Sequence, residues 1–413
     1  MNPLTIAFLV LAILLVVQSV GSLRQGFQFL SLARRSRKRS PGDYHPLATV
    51  IIPCKGWDTS LEQNAARFSA QDYPRYQVLF VVAAENDAAF QPLAAMLASQ
   101  RKTAAASGCA ASLIIADFCE GRGEKVNNLL AGLTAAGPEC EVLVFADIDA
   151  RPSKDWLRFL VAPLADAPVT MTTGFRWYLP GASFTSRLRA AWDTSIATMM
   201  GDHPHNFAWG GSMAIRAADF RRLQVAERYW QHTVSDDYAI TRAVRDGGGS
   251  IRFEPRCLVL SENDGGFRAF LRWTNRQIII TRVYASRFWK LGLASFGLYA
   301  LTFFTGLAVI LVPAMPASHR VMAAIFLAVI LGLGMAKGAI RTVAAREMFP
   351  EEETRLQRYG ACYWKFAPLV PWVMIFNFVF AAFVRRIEWR GTAYDLESQD
   401  RVRIIHRSSP LSG

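Results

Sequence analysis

The sequence predicts a doubly wound, mostly parallel α/β domain joined to membrane helices. Between residues 48 and 149, short apolar runs alternate with helical stretches, the pattern of a parallel sheet with helices on both faces. Uncharged apolar blocks at residues 3–20, 291–315, 321–335 and 366–384 are near the ~20 residues needed to cross a bilayer. Basic residues cluster beside those blocks and contribute to a net charge of +13. That placement suits an anionic phospholipid surface better than nucleic acid, and no nucleic-acid partner is expected.

The elements follow in order. Block 3–20 lacks a basic leader and a small-x-small cleavage site, and Arg24, Arg34, Arg35, Arg37, Lys38 and Arg39 follow it. It reads as an uncleaved anchor (1–23) with a basic cytoplasmic linker (24–46). In the domain at 47–264, strands are expected at 48–53, 77–84, 112–116, 141–146, 169–177 and 250–260. Helices are expected at 61–69, through residue 98, and at 126–136, 188–200 and 238–245. Residues 265–290 predict a basic amphipathic helix lying in the membrane interface: Arg268, Arg272 and Arg276 share one face, and Phe270, Trp273, Ile280 and Tyr284 another. Membrane segments occupy 291–386, where block 321–335 is short unless extended through Ile340. Block 366–384 has basic residues toward both ends and carries Pro368 and Pro371, so it reads as re-entrant or interfacial. A basic cytoplasmic tail is expected at 387–413. The six cysteines have no metal-binding spacing and read as reduced thiols.

The apolar run 142–146 leads directly into Asp147-Ile148-Asp149. In open α/β sheets, ligands sit at the carboxyl ends of strands, and two carboxylates there suit Mg²⁺ or Mn²⁺. A polar turn capping the next helix is the plainer alternative. Asp236-Asp237 precedes a helical stretch; Asp236 or Ser235 fits an N-cap, and neighbouring carboxylates also suit a general base. His203 and His205, two apart, lack an evident third metal ligand and read as loop histidines. Gly210 and Gly211 allow close backbone approach.

Five motifs in order carry a resemblance: Pro53-Cys54-Lys55-Gly56, Asp72-Tyr73-Pro74, Lys125-Val126-Asn127-Asn128-Leu129, Asp236-Asp237-Tyr238 and Arg272-Trp273-Thr274. Together they resemble the inverting family 2-type glycosyltransferases, most of all the ceramide glucosyltransferase branch. The chain departs from that pattern in two places. The family's first aspartate falls on Ala83-Ala84-Glu85-Asn86-Asp87, so Glu85 or Asp87 must serve. The closing motif has Ala269 at its first position, leaving Arg268 or Arg276 to replace that contact.

The resemblance implies a nucleotide-sugar glycosyltransferase A-type fold and a set of roles. Glu85 or Asp87 would accept hydrogen bonds from base or ribose, and Lys55 and Lys125 would neutralise phosphate. Gly56, Asn128, Asp236 and His203 would line the donor, sugar or acceptor, and Gly211 would lie in the acceptor loop. Asp147 and Asp149 would hold the metal and Asp147 the donor; Arg272 would meet the diphosphate and Trp273 wall the acceptor site, unless both simply anchor in the interface. Asp237 would be the base. The expected activity moves a hexose, glucose first, from a UDP-sugar donor to a membrane lipid acceptor such as ceramide, with the catalytic domain cytoplasmic. The alternatives are a hopanoid or diacylglycerol acceptor, a processive polysaccharide synthase, or a non-catalytic membrane scaffold.

Overall fold

The computed structural model describes residues 2–103, 109–262 and 264–407. Along the chain run α1 (Pro3–Arg37), β1 (Ala48–Pro53), α2 (Leu61–Ser69), β2 (Tyr76–Val82), α3 (Phe90–Thr103), β3 (Cys109–Ile115), α4 (Glu124–Ala135) and β4 (Val142–Ala146). Then come α5 (Trp156–Val161), β5 (Val169–Tyr178), α6 (Phe184–Ala197), β6 (Ser212–Arg216), α7 (Ala217–Arg222), α8 (Asp236–Asp246) and β7 (Ser250–Ser261). The remainder is α9 (Phe267–Tyr284), α10 (Ser286–Leu311), α11 (Ala317–Met348), α12 (Glu353–Tyr359), α13 (Cys362–Lys365), α14 (Val370–Phe383), β8 (Arg386–Trp389), β9 (Thr392–Ser398) and β10 (Arg401–Arg407).

The chain divides into two compact units. The first described here comprises Ser36–Trp177, Asp202–Ser261 and Arg385–Gly413. Its sheet has strand order β3-β2-β1-β4-β6-β5-β7. β1 to β4 pair in parallel; β1, β2 and β4 are buried, as central strands of such a sheet should be, whereas β3 at the edge is partly exposed. β6 reverses direction against β4 and β5. That reversal sets Ser212, the first residue of β6, opposite Ala146, the last of β4. The loop before β6 therefore meets the ligand-facing end of the sheet. Ile51, Val81, Leu129, Phe145, Met213 and Trp230 fill the core. Each such side chain fully buried contributes about 1.5–3 kcal/mol.

The same unit holds a second sheet. β8, β9 and β10 form an antiparallel meander where a basic tail is expected from sequence; residues 408–413 lie outside the described residues. Alternate residues Ile387, Tyr394, Leu396 and Val402 are buried beneath the charged outer face.

The other unit comprises Met1–Arg35, Tyr178–Gly201 and Glu262–Val384. The α6 segment, placed inside the α/β domain by the sequence reading, belongs here. α1, α10 and α11 are long and apolar enough to cross a membrane, while α14 has 14 residues. At 1.5 Å per residue it rises about 21 Å, short of the ~30 Å hydrocarbon core. The interface helix expected over 265–290 ends at Tyr284. Ala285 breaks it at φ −137 and ψ 57, and Arg287 and Lys290 begin α10. α9 buries Phe270, Thr274, Ile278, Ile279 and Tyr284 against its own unit. Asn377 of α14 donates to the Thr274 hydroxyl (3.0 Å) and Asn275 Oδ1 (2.7 Å), and Arg282 donates to the Ala381 carbonyl (2.8 Å).

Candidate active site

The α/β unit brings three charged segments to the ends of its central strands. β4 delivers Asp147 and Asp149. The N-terminus of α4 delivers Lys125, and that of α8 delivers Asp236 and Asp237. Lys125 Nζ lies 2.8 Å from Asp147 Oδ1 and 3.1 Å from Asp236 Oδ1. One ammonium therefore bridges two carboxylates from distant parts of the chain. Burial disfavours the Lys125 charge, but Asp147, Asp236 and Asp237 outweigh it and raise its pKa. Burial likewise opposes ionisation of Asp147; Lys125, with Arg176 and Arg390 behind it, prevails and holds this carboxyl below the usual range. Asp236 is 3% exposed. Burial pushes its carboxyl up to about 7 against the pull of Lys125, with Asp237 adding to the rise.

Gly210 is required at this cluster. A Cβ there would lie 2.1 Å from Asp236 Oδ2 and 2.7 Å from Lys125 Nζ. At Gly211 a Cβ would meet the Trp209 ring at 2.2 Å. The loop is pinned on both sides: Trp209 N donates to the Thr173 hydroxyl (3.0 Å) and Ala208 N to the Thr241 hydroxyl (2.9 Å). The Trp209 ring in turn carries the Arg176 guanidinium, 5.1 Å from its centroid, and Arg176 lies 3.9 Å from Asp149.

Asp237 is half-buried and held by local bonds. The Ser235 hydroxyl and Tyr238 N both donate to Asp237 Oδ1. Ser235 also caps α8, accepting from Tyr238 N at 3.2 Å. The buried carboxylate of the pair thus balances Lys125, and the more accessible one stands at the helix start.

The other expected site residues take varied places. Lys55 pairs with the buried Glu124 at 2.7 Å and donates to the Thr392 hydroxyl at 3.0 Å. Gly56, at φ 68, donates from its backbone N to Asp87 Oδ1 (2.8 Å), which also accepts from Ala89 N. Asp87 therefore ties the β2–α3 loop to the β1–α2 loop, and Glu85 beside it is exposed. Asn128 is fully buried, its amide donating to the Val81 carbonyl (3.2 Å). His203 accepts from His205 N within a surface loop.

Arg272, Trp273 and Arg276 lie on α9 of the other unit. There Trp273 packs on Tyr178 and Trp192, and the Arg189 guanidinium lies 4.8 Å from its ring centroid. Arg272 is exposed and Arg276 half-buried.

Several participants are absent from the sequence reading: Glu124, Arg176, and the Trp389, Arg390, Thr392 and Tyr394 of the C-terminal sheet. The one charge in an otherwise uncharged strand marks Arg176. Glu124 leaves no such signal, because its partner Lys55 is far away in sequence.

Asp147 and Asp149 offer hard carboxylate oxygens at the end of a strand, a donor set that fits Mg²⁺ or Mn²⁺. Among the described residues no group of three or more His, Cys, Asp or Glu side chains is arranged to hold a metal ion, so the remaining ligands would be phosphate oxygens and water.

Solved structures similar to this chain include a mannosyltransferase from Pyrobaculum calidifontis, solved with GDP-Man and Mn²⁺. It is 18% identical over 91% of this chain and 97% of its own, with a TM-score of 0.47. A second is described only as a mycobacterial protein, 15% identical over 62% and 77% of the two chains, with a TM-score of 0.36. A third is glucosyl-3-phosphoglycerate synthase from Mycobacterium tuberculosis in complex with phosphoglyceric acid, 13% identical over 61% and 82%, with a TM-score of 0.36. The family model described as glycosyl transferase family 21 matches residues 10–402, and with that span the chain belongs to glycosyl transferase family 21, the family of the ceramide glucosyltransferases.

Proposed function

We propose that this glycosyltransferase moves a hexose, glucose first, from a UDP-sugar to the hydroxyl of a membrane lipid, ceramide or a relative of it, with inversion at the anomeric carbon. The observation that supports this reading best is the division of labour between Asp236 and Asp237. Asp236 is buried and paired with Lys125, whereas Asp237 is half-buried and oriented by Ser235 and the Tyr238 backbone. A base must reach its substrate, and Asp237 is the carboxylate able to do so.

Asp237 takes the acceptor hydroxyl proton as that oxygen bonds to the anomeric carbon. The bond from that carbon to the diphosphate breaks in the same step, and the nucleoside diphosphate leaves. A single displacement with one carboxylate inverts configuration, so an α-linked donor yields a β-linked product. Asp147 and Asp149 would hold a divalent metal, which would supply positive charge at the departing diphosphate. Lys125 keeps Asp147 ionised, and the N-termini of α4 and α8 add positive dipole ends beside that diphosphate. The long apolar helices hold the enzyme where lipid hydroxyls emerge.

The test is Asp237→Asn, with products followed by mass spectrometry of lipid extracts. Glycolipid formation should fall by about 10²–10⁴-fold while UDP-sugar binding persists. Unchanged turnover would remove Asp237 from the reaction, and a polymeric product would replace the lipid acceptor. Exhaustive chelation should abolish transfer, with Mn²⁺ or Mg²⁺ restoring it; full activity after chelation would refute the metal role of Asp147 and Asp149.

A further inference from the structure

The C-terminal meander is bonded to the elements that form the donor side of the active site. Its β8–β9 turn, Arg390-Gly391, sits on the loop after β1. Arg390 donates to the Lys55 carbonyl, and its guanidinium Nη1 lies 3.5 Å from the point a Gly56 Cβ would occupy. Trp389 places its ring under the Lys55 ammonium, 5.6 Å away, and Thr392 accepts from that ammonium. Tyr394 accepts from Glu124 N, one residue before Lys125. Arg407 donates to the Cys119 carbonyl at 2.6 Å. Asp400 pairs at 2.7 Å with Arg242 of α8, the helix that begins with Asp236 and Asp237.

Arg390 is also an unusual residue for its turn. The two central positions have φ 43 and 80, the left-handed pair that closes a two-residue hairpin. Asn, Asp or Gly favours the first position, and an arginine there carries backbone strain. The strain sets a guanidinium against the Lys55 carbonyl and Gly56, in the loop after β1. A planar, permanently charged fork is the side chain suited to phosphate oxygens.

We propose that the Trp389-Arg390-Gly391-Thr392 turn is part of the donor site and that Arg390 contacts the diphosphate of the nucleotide sugar. The inference rests on the nucleotide-sugar reading above and adds a chain segment far from the motifs that suggested it. Lys55, held by Glu124 and Thr392, then positions the turn.

The test uses the full-length protein in detergent, with uridine diphosphate binding measured by calorimetry and uridine binding by ligand-observed NMR. Arg390→Gly and Arg390→Asn fit the turn's backbone, so loss of the guanidinium is separated from loss of the fold. Both should weaken uridine diphosphate by ~10-fold or more and leave uridine unchanged. Arg401→Ala, on the exposed face of the meander, should alter neither. Unchanged uridine diphosphate affinity in the Arg390 variants overturns the proposal. Equal weakening of both ligands also overturns it and leaves the turn as scaffold. If the unaltered chain binds no uridine diphosphate, the donor reading itself fails.

Discussion

Lys125 carries one positive charge amid three carboxylates, and its partners arrive from different elements: Asp147 from β4 and Asp236 from α8. Its side chain is 18% exposed, and those of Asp147 and Asp236 are 23% and 4% exposed. Removing one member of such a group leaves charge buried without a partner, which costs about 3–5 kcal/mol in fully buried pairs. Residual exposure places Lys125→Met near the lower end, about 3 kcal/mol, read as a lowered thermal unfolding midpoint in detergent. Adding Asp236→Asn should recover part of that loss, because the stranded charge is then gone. If Lys125→Met alone leaves the midpoint unchanged, the bridge does not hold the site together. The residue types of this site are legible in the sequence, since Asp147, Lys125, Asp236 and Asp237 all stand in motifs. Their mutual contacts are not. A lysine near a nucleotide site reads as a phosphate ligand until the sheet order sets it between two aspartates.

Elements differ in how openly the sequence displays them. β4 is an uninterrupted apolar run, β1 is one but for Thr49, and α2 and α8 bury residues at helical spacing, so all four are readable locally. β6 is only five residues long and follows paired glycines, too short for a period to emerge. The C-terminal meander is masked by charge: Arg386, Arg401 and Arg403 on its outer face read as a solvated basic tail. Its signal is the alternation of Ile387, Tyr394, Leu396 and Val402 around a two-residue turn. The start of α8 is one element whose sequence code and chemistry coincide, because Ser235 both caps the helix and orients Asp237. Ser235→Ala should cost about 1 kcal/mol of stability through the lost cap. Turnover should fall beyond what that destabilisation explains, visible as a lower kcat at a temperature where the variant is fully folded. A stability loss with kcat intact would make Ser235 a cap only.

The whole molecule constrains how the chain meets the membrane. One compact unit contains residues 36–177 and 202–261 from before the C-terminal helices, and residues from Arg385 onward from after them. Arg242 with Asp400 and Glu124 with Tyr394 bond across that gap. A unit built from both parts predicts that they occupy one side of a bilayer, with an even number of crossings in the intervening chain. α10, with 26 residues, and α11, with 32, are long enough to provide two; α14, with 14, is not. The charge bias then predicts that the basic residues late in α11 (Lys337, Arg341, Arg346) and those at and just after the end of α1 (Arg34, Arg35, Arg37, Lys38, Arg39) share one side, the cytoplasmic one. The expected outcome is that a cysteine at Ala314, exposed between α10 and α11, reacts with a membrane-impermeant maleimide from the non-cytoplasmic face. A cysteine at Glu388, exposed on β8, should react only after the membrane is opened. Labelling of both positions from one face would mean that α14 crosses as well or that α10 and α11 do not. Either result would contradict a unit assembled from both ends of that stretch of chain.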